Sequence, residues 1–256
     1  MAPRIVPVAE VADVDERWDA VAEGVWPEYN RHGDVLNRYW GRLDEDFAPF
    51  QFVLLDDTDE LLARGYTIPC RWDGTLAGLP RGIDGVIEYG FALRERGGHA
   101  NALSALAIVV RPDRQGRGLA ATMVEAMRSL ASGHGLGALI APVRPTWKER
   151  YPLVAIERYA AWSRVDGLPF DPWLRLHVRL GGRVLRPEPR SLRITGSVGE
   201  WEEWTGMAFP ESGEYVFPHG LATLAIDRED NTGRYWEPNV WMEHPVEQEA
   251  EGEGGA

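Results

Sequence analysis

Cysteine is almost absent from this chain: Cys70 stands alone, so no internal disulfide can form and no metal site can be built from paired thiolates. Lysine is equally rare, with Lys148 the single lysine among 27 basic residues. The six histidines include no pair at helical i, i+3 or i, i+4 spacing, which argues against a metal centre. No apolar run approaches the length of a membrane span, and the N-terminus Met-Ala-Pro-Arg-Ile-Val-Pro-Val has no apolar segment of signal-peptide length. These absences point to a cytoplasmic protein with no membrane partner. A formal charge of −13 leaves nothing to offset phosphate repulsion over a wide surface, so nucleic acid is not expected as a partner. It suits a cationic amine instead.

What remains is enough for an enzyme. The 256 residues, 44% hydrophobic and 10% aromatic, can bury a substantial core, and neither a Pro/Gly-rich linker nor an internal repeat divides them. Residues 1–245 read as one domain, and 246–256, polar and acidic, as a disordered tail.

Positive charge concentrates in one place. Leu103 to Val110 is nearly all apolar and ends β-branched, as a buried strand does. Leu119, Met123, Val124, Met127 and Leu130 then recur at helical spacing, and Ser132-Gly133-His134-Gly135 supplies a helix stop. Between them lies Arg111-Pro-Asp-Arg114-Gln115-Gly116-Arg117-Gly118-Leu119-Ala120. Unpaired N–H groups at the helix start, together with Arg111, Arg114 and Arg117, predict an anion site.

Spacing separates the phosphate-binding motifs. The GxxxxGK pattern of a P-loop does not occur. Gly116-x-Gly118-x-x-Ala121 fits the dinucleotide fingerprint formally, but that motif begins at the strand end, whereas Arg111 to Gln115 intervene here. The next strand-like run, Ala138 to Val143, ends in Arg144 rather than an acid. The third pattern is Gln115-x-x-Gly118-x-Ala120, with Val110-x-Pro112 before it. It resembles the pyrophosphate-binding signature of the GNAT superfamily of acyl-CoA-dependent N-acyltransferases: Arg or Gln, two residues, Gly, one residue, then Gly or Ala.

The resemblance implies an α/β fold with a mixed, mostly antiparallel sheet flanked by helices. It implies that acetyl-CoA is the acyl donor and that the N–H groups from Gly116 to Ala120, with Arg114, Gln115 and Arg117 beside them, hold its pyrophosphate. Ile108, Val109 and Val110 would then lie along the pantetheine arm, with a backbone N–H polarising the thioester carbonyl.

The other elements follow the family's order. Arg4 to Val8 reads as a strand, Val14 to Val25 as a helix, and Asp34 as the N-cap of a second helix through Val35, Tyr39 and Leu43. Gln51–Leu55 and Glu60–Pro69 form a hairpin. Gly74 to Ala102 reads as a helical insertion before the central strand, and Tyr215–Pro218, Ala222–Asp227 and Arg234–Met242 as extra C-terminal strands. Those strands either close the cleft or form the contact of a homodimer.

After Val143 the chain departs from the pattern. The resemblance implies an Asn closing that strand and, shortly afterwards, a Tyr that protonates the departing thiolate. Arg144 stands at the Asn position, and in Leu174-Arg-Leu-His177-Val-Arg-Leu-Gly181-Gly182 the tyrosine position is held by His177. A histidine can supply that proton or take one from an ammonium. The alternative is packing against the helix with a bond to a backbone carbonyl.

A long insertion separates Arg144 from His177. It is rich in aromatic and charged residues, and with Arg144, Trp147, Lys148, Tyr151 and Trp173 it is the expected substrate-recognition element. Lys148 either supplies an ammonium that arginine cannot or is a surface residue. No carboxylate on the central strand stands out as a base; Ser104 lies near its start, and Glu149 and Asp171 flank the insertion. Core packing accounts for most of the eleven tryptophans. The expected activity is transfer of an acetyl or short acyl group to a small-molecule amine by direct attack in a ternary complex. Transfer to a hydroxyl and binding of acyl-CoA without turnover are the alternatives.

Overall fold

The computed structural model describes residues 3–246, so all but the first residue of the expected acidic tail lies outside the described residues. The strands are β1 Arg4–Pro7, β2 Phe52–Leu55, β3 Leu61–Cys70, β4 Ala102–Val110, β5 Ala138–Val143, β6 Arg183–Gly196, β7 Gly213–Tyr215, β8 Leu224–Asp227 and β9 Thr232–Pro245. The helices are α1 Val14–Ala22, α2 Leu36–Tyr39, α3 Leu43–Asp46, α4 Gly82–Glu95, α5 Leu119–Gly133, α6 Ile156–Ala160, α7 Pro172–Arg179 and α8 Val198–Thr205. Among the described residues no helix is long and apolar enough to cross a membrane.

One sheet runs β1-β2-β3-β4-β5-β9-β8-β7, with β6 pairing β9 as well. Only β4 and β5 are parallel. Every residue of β3 is buried because apolar clusters cover both faces of the sheet. On one face α5 contributes Met123 and Met127 of the predicted stripe together with Ala131, and Leu119 and Leu130 pack partly buried against them. On the other, Ile87 and Phe91 of α4 pack with Trp18 of α1 and Trp201 of α8. Arg64 of β3, buried at 2% exposure, ties that second layer to the sheet by pairing with Asp15 of α1 at 2.7 Å and Asp44 of α3 at 2.6 Å.

Two expectations change. Asp34 does not cap a helix: its carboxylate accepts from the Thr195 N–H and hydroxyl, both at 2.8 Å, and pairs with Arg193 on β6. The segment is divided into α2, a 3-10 turn at Trp40–Arg42, and α3, and α2 starts without a side-chain cap. The last strand is also no appendage, because β9 lies between β5 and β6, pairing Val143 with Val240 and Ile194 with Tyr235. The last strand therefore runs to Pro245, three residues beyond the expected Met242.

Candidate functional site

The site begins where β4 and β5 separate. Their register holds only at Leu103↔Leu139 and Ser104↔Ile140, although β4 continues to Val110. From Ala105 onward the edge of β4 facing β5 has no strand partner, so main-chain donors and acceptors line a wedge between the two. On its other side β4 pairs with β3, where a bulge falls between Tyr66↔Ala107 and Thr67↔Ala105 and leaves Leu106 as the extra residue. Ala105, Ala107, Ile108 and Val110 are only half-buried because they face the opening.

The wedge leads to the start of α5. Gly116 has φ +75° and Gly118, the N-cap, φ +82°, backbone that favours glycine. A Cβ at either would meet no atom within 4 Å, so the space over the turn is open and the first-turn N–H groups face it without intrahelical partners.

Wedge and turn belong to one cavity of about 1290 Å³. Ile108, Val109, Val110, Arg114, Gln115, Gly116, Gly118, Leu119 and Ala120 all line it, and Arg117 does not. The basic cluster is weaker than the sequence implies. Arg111 pairs with Asp113 at 2.7 Å and with Glu60, and Arg114 reaches both of the same carboxylates. Arg117 has no ion pair among the described residues.

The opposite wall carries a polar group that the sequence did not reveal as a unit. Arg144 Nε donates to Glu237 at 3.0 Å, while its Nη2 donates to the Tyr29 hydroxyl at 3.2 Å and the His219 carbonyl at 3.0 Å. Asn30 Nδ2 donates to both Glu237 oxygens. Burial would lower the Arg144 pKa, but Glu237 beside it holds it above the ordinary value. Burial, then Glu237, pushes the Tyr29 hydroxyl up. Trp18, Asp19, Glu23 and Trp26, on α1 and just after it, also line the cavity, as do Tyr66 and Asn239. Glu237 and Asn239 lie two apart on β9, on one face of the strand, but polar residues recur along it at Arg234, Glu243 and His244, so their spacing did not single them out.

The predicted catalytic and substrate residues divide. His177, Arg144 and Trp173 line the cavity. Ser104 does not; it is fully buried and its Oγ donates to the Ala105 carbonyl at 3.3 Å. Glu149 pairs instead with His219 at 3.1 Å beside a separate shallow depression. Tyr151 packs edge-on to Trp162 and Phe170, and Trp147 packs against Phe170 and under Arg150. Lys148 is no surface residue: it is 1% exposed, its Nζ donates to the Tyr151 and Leu221 carbonyls, and burial lowers its pKa to about 8. The insertion thus folds mostly onto itself.

Asp171 is the reason α7 stands where it does. Its carboxylate accepts from the Trp173 and Leu174 N–H groups at the helix start, and from the Trp147 N–H and Tyr159 hydroxyl, each at 2.8 Å. His177 on this helix shares a 2.8 Å hydrogen bond through Nδ1 with His244 Nε2. Burial, then His244, pushes His177 down to about 3, and burial, then Arg128, lowers His244 to about 4, so both rings are neutral at neutral pH. Gly182 makes room for this pair: a Cβ there would lie 2.7 Å from His244 Cε1.

Comparison with known proteins agrees with this geometry. No protein-family model matches the sequence. The chain is 31% identical over 250 residues to the arginine N-acetyltransferase avaD of Aspergillus versicolor, covering 87% of this chain and 86% of that one. Among solved structures it is similar to the loading GNATL domain of CurA from Lyngbya majuscula, with a TM-score of 0.57, 16% identity, and 96% and 98% of the two chains covered. It is also similar to the GphF GNAT-like decarboxylase in complex with isobutyryl-CoA, with a TM-score of 0.58, 17% identity, and 96% and 100% covered. A splayed β4/β5 pair, a glycine turn opening α5 and a relative this similar over this length lead to one conclusion: the chain belongs to the GNAT superfamily of acyl-CoA-dependent N-acyltransferases.

Proposed function

We propose that the protein transfers an acetyl group from acetyl-CoA to the amine of a small cationic molecule, with arginine, the substrate named for its relative, as the first acceptor to test. The observation that supports this most is the continuity of the cavity, which joins the open turn of Gly116 and Gly118 to the acidic and aromatic wall at Asp19, Glu23 and Trp26. The N–H groups at the start of α5 would hold the pyrophosphate, and the unpaired edge of β4 would bond the amides of the pantetheine arm. A free N–H on that edge would polarise the thioester carbonyl.

The uncharged amine attacks the carbonyl carbon. The C–N bond forms, the C–S bond breaks with its electron pair on sulfur, and the proton lost by nitrogen returns through solvent to the thiolate. His177 is poorly suited to carry that proton, since a ring held near pKa 3 is almost wholly unprotonated at pH 7. We assign it a positioning role, fixing α7 and with it Trp173 on the cavity wall.

Calorimetric titration with acetyl-CoA and desulfo-CoA, followed by thiol release with an amine panel, tests the reading. Both nucleotides should bind the wild type, and Gly118→Val, forced into a strained φ beneath the ligand, should lose both. Thiol release should require an amine. Failure of the wild type to bind either compound would sink the proposal.

A further inference from the structure

Arg144 and Asn239 share an unspent hydrogen-bonding capacity. Arg144 Nε and Nη2 are committed to Glu237, Tyr29 and His219, but Nη1 has no protein partner among the described residues. Asn239 is only 4% exposed, lines the same cavity, and its side-chain amide likewise has no partner among the described residues.

Register brings the two together. Pro142↔Trp241 and Val143↔Val240 are antiparallel partners, so continuing the ladder one step sets Arg144 opposite Asn239 on the sheet face shared with Ile140 and Trp241. Directly opposed side chains in such a pair are neighbours.

The spare capacity includes N–H donors from both side chains, Arg144 Nη1 and Asn239 Nδ2. Glu237 is saturated, since Oε1 accepts from Arg144 and Asn30 and Oε2 from Asn30, with the Tyr29 and Tyr235 hydroxyls at 3.5 Å. Its carboxylate is therefore occupied in orienting Arg144 and is not free to receive a cationic substrate. A half-buried guanidinium edge and an amide N–H that both open on the cavity match a carboxylate, which accepts two charge-assisted hydrogen bonds.

From this we propose that the acceptor is an α-amino acid whose carboxylate is clamped by Arg144 Nη1 and the Asn239 amide. The inference rests on the acetyl-transfer reading above and adds what recognises the acceptor and which nitrogen reacts. Arg144 directly follows the wedge-forming strand β5, so a carboxylate held there would set the α-nitrogen beside the wedge, within the same cavity that Asp19 and Glu23 line. The α-amine is then the nucleophile and the product is the Nα-acetyl amino acid.

The test compares each acid with its carboxamide, which keeps the amine and side chain, removes the negative charge and replaces one acceptor oxygen with an N–H donor. Protein saturated with CoA is titrated calorimetrically with L-arginine, L-argininamide, L-leucine and L-leucinamide, and thiol release from acetyl-CoA is followed with the same four. At least one acid should bind about tenfold more tightly than its amide, as expected for a charge-assisted pair. Asn239→Ala should weaken the acid more than the amide, erasing that preference, while leaving acetyl-CoA affinity unchanged. Fragmentation of the product should place the acetyl group on the α-nitrogen. Equal binding of acid and amide in both pairs, or an Asn239→Ala loss that falls equally on acid and amide, would overturn the clamp. Acid-selective binding without thiol release would uphold the clamp and refute the acetyl-transfer reading.

Discussion

The paired imidazoles of His177 and His244 make a pH signature of their own. Both have folded pKa values, about 3 and about 4, below the ordinary 6.5, because burial disfavours the charged ring. Between 6.5 and those values the unfolded chain binds more protons than the folded one, so stability rises with pH there and is lost as pH falls below 6.5. Carboxylates also titrate in this range, so the readout is a difference: denaturant midpoints from pH 7 to 4 for the wild type and His244→Asn. The variant should lose less stability across the range, and parallel curves would show that the pair contributes nothing. Gly182→Ala offers a steric check, since its Cβ has no room beside His244 Cε1 or the His177 carbonyl; overpacking of this kind costs about 1–3 kcal/mol.

Helix α7 hangs on a single carboxylate. Asp171, 2% exposed, serves four donors from the insertion and the helix start. Asp171→Ala strands all of them in a buried site, so a loss of about 3 kcal/mol or more is expected in chemical denaturation, with activity falling as Trp173 leaves the cavity wall. Ser197→Ala is the milder control: it breaks the capping box of α8, in which Ser197 and Glu200 bond reciprocally, and should cost about 1 kcal/mol without touching activity. These elements also show where local sequence suffices. The β4-turn-α5 unit was legible because strand, glycines and helical stripe are contiguous, whereas the Ser197-x-x-Glu200 signal was present but unread. The loss of the expected cap at Asp34 was not legible, because its carboxylate bonds β6, far along the chain. The same distance hid the acceptor end of the site. Arg144, Glu237 and Asn239 meet only because β9 inserts beside β5, and nothing local to any of them announces that pairing.

Across the whole molecule, electrostatics run against the ligand. A chain of charge −13 repels an anionic nucleotide at long range, and at the α5 turn two carboxylates, Asp113 and Glu60, offset much of what Arg111, Arg114 and Arg117 supply. Binding must then come from oriented N–H groups at contact rather than from steering, and contact interactions are screened far less than a field acting beyond the Debye length of about 8–10 Å. The association rate for acetyl-CoA should accordingly stay level or rise between low and moderate salt in stopped-flow measurements, where a basic funnel would make it fall steeply. Glu60→Gln supplies the complementary test, since it removes one negative charge and releases Arg111 and Arg114 from a shared partner. It should tighten acetyl-CoA binding several-fold, mainly through the association rate at low salt, and an unchanged or weakened affinity would show that those two arginines do not reach the pyrophosphate.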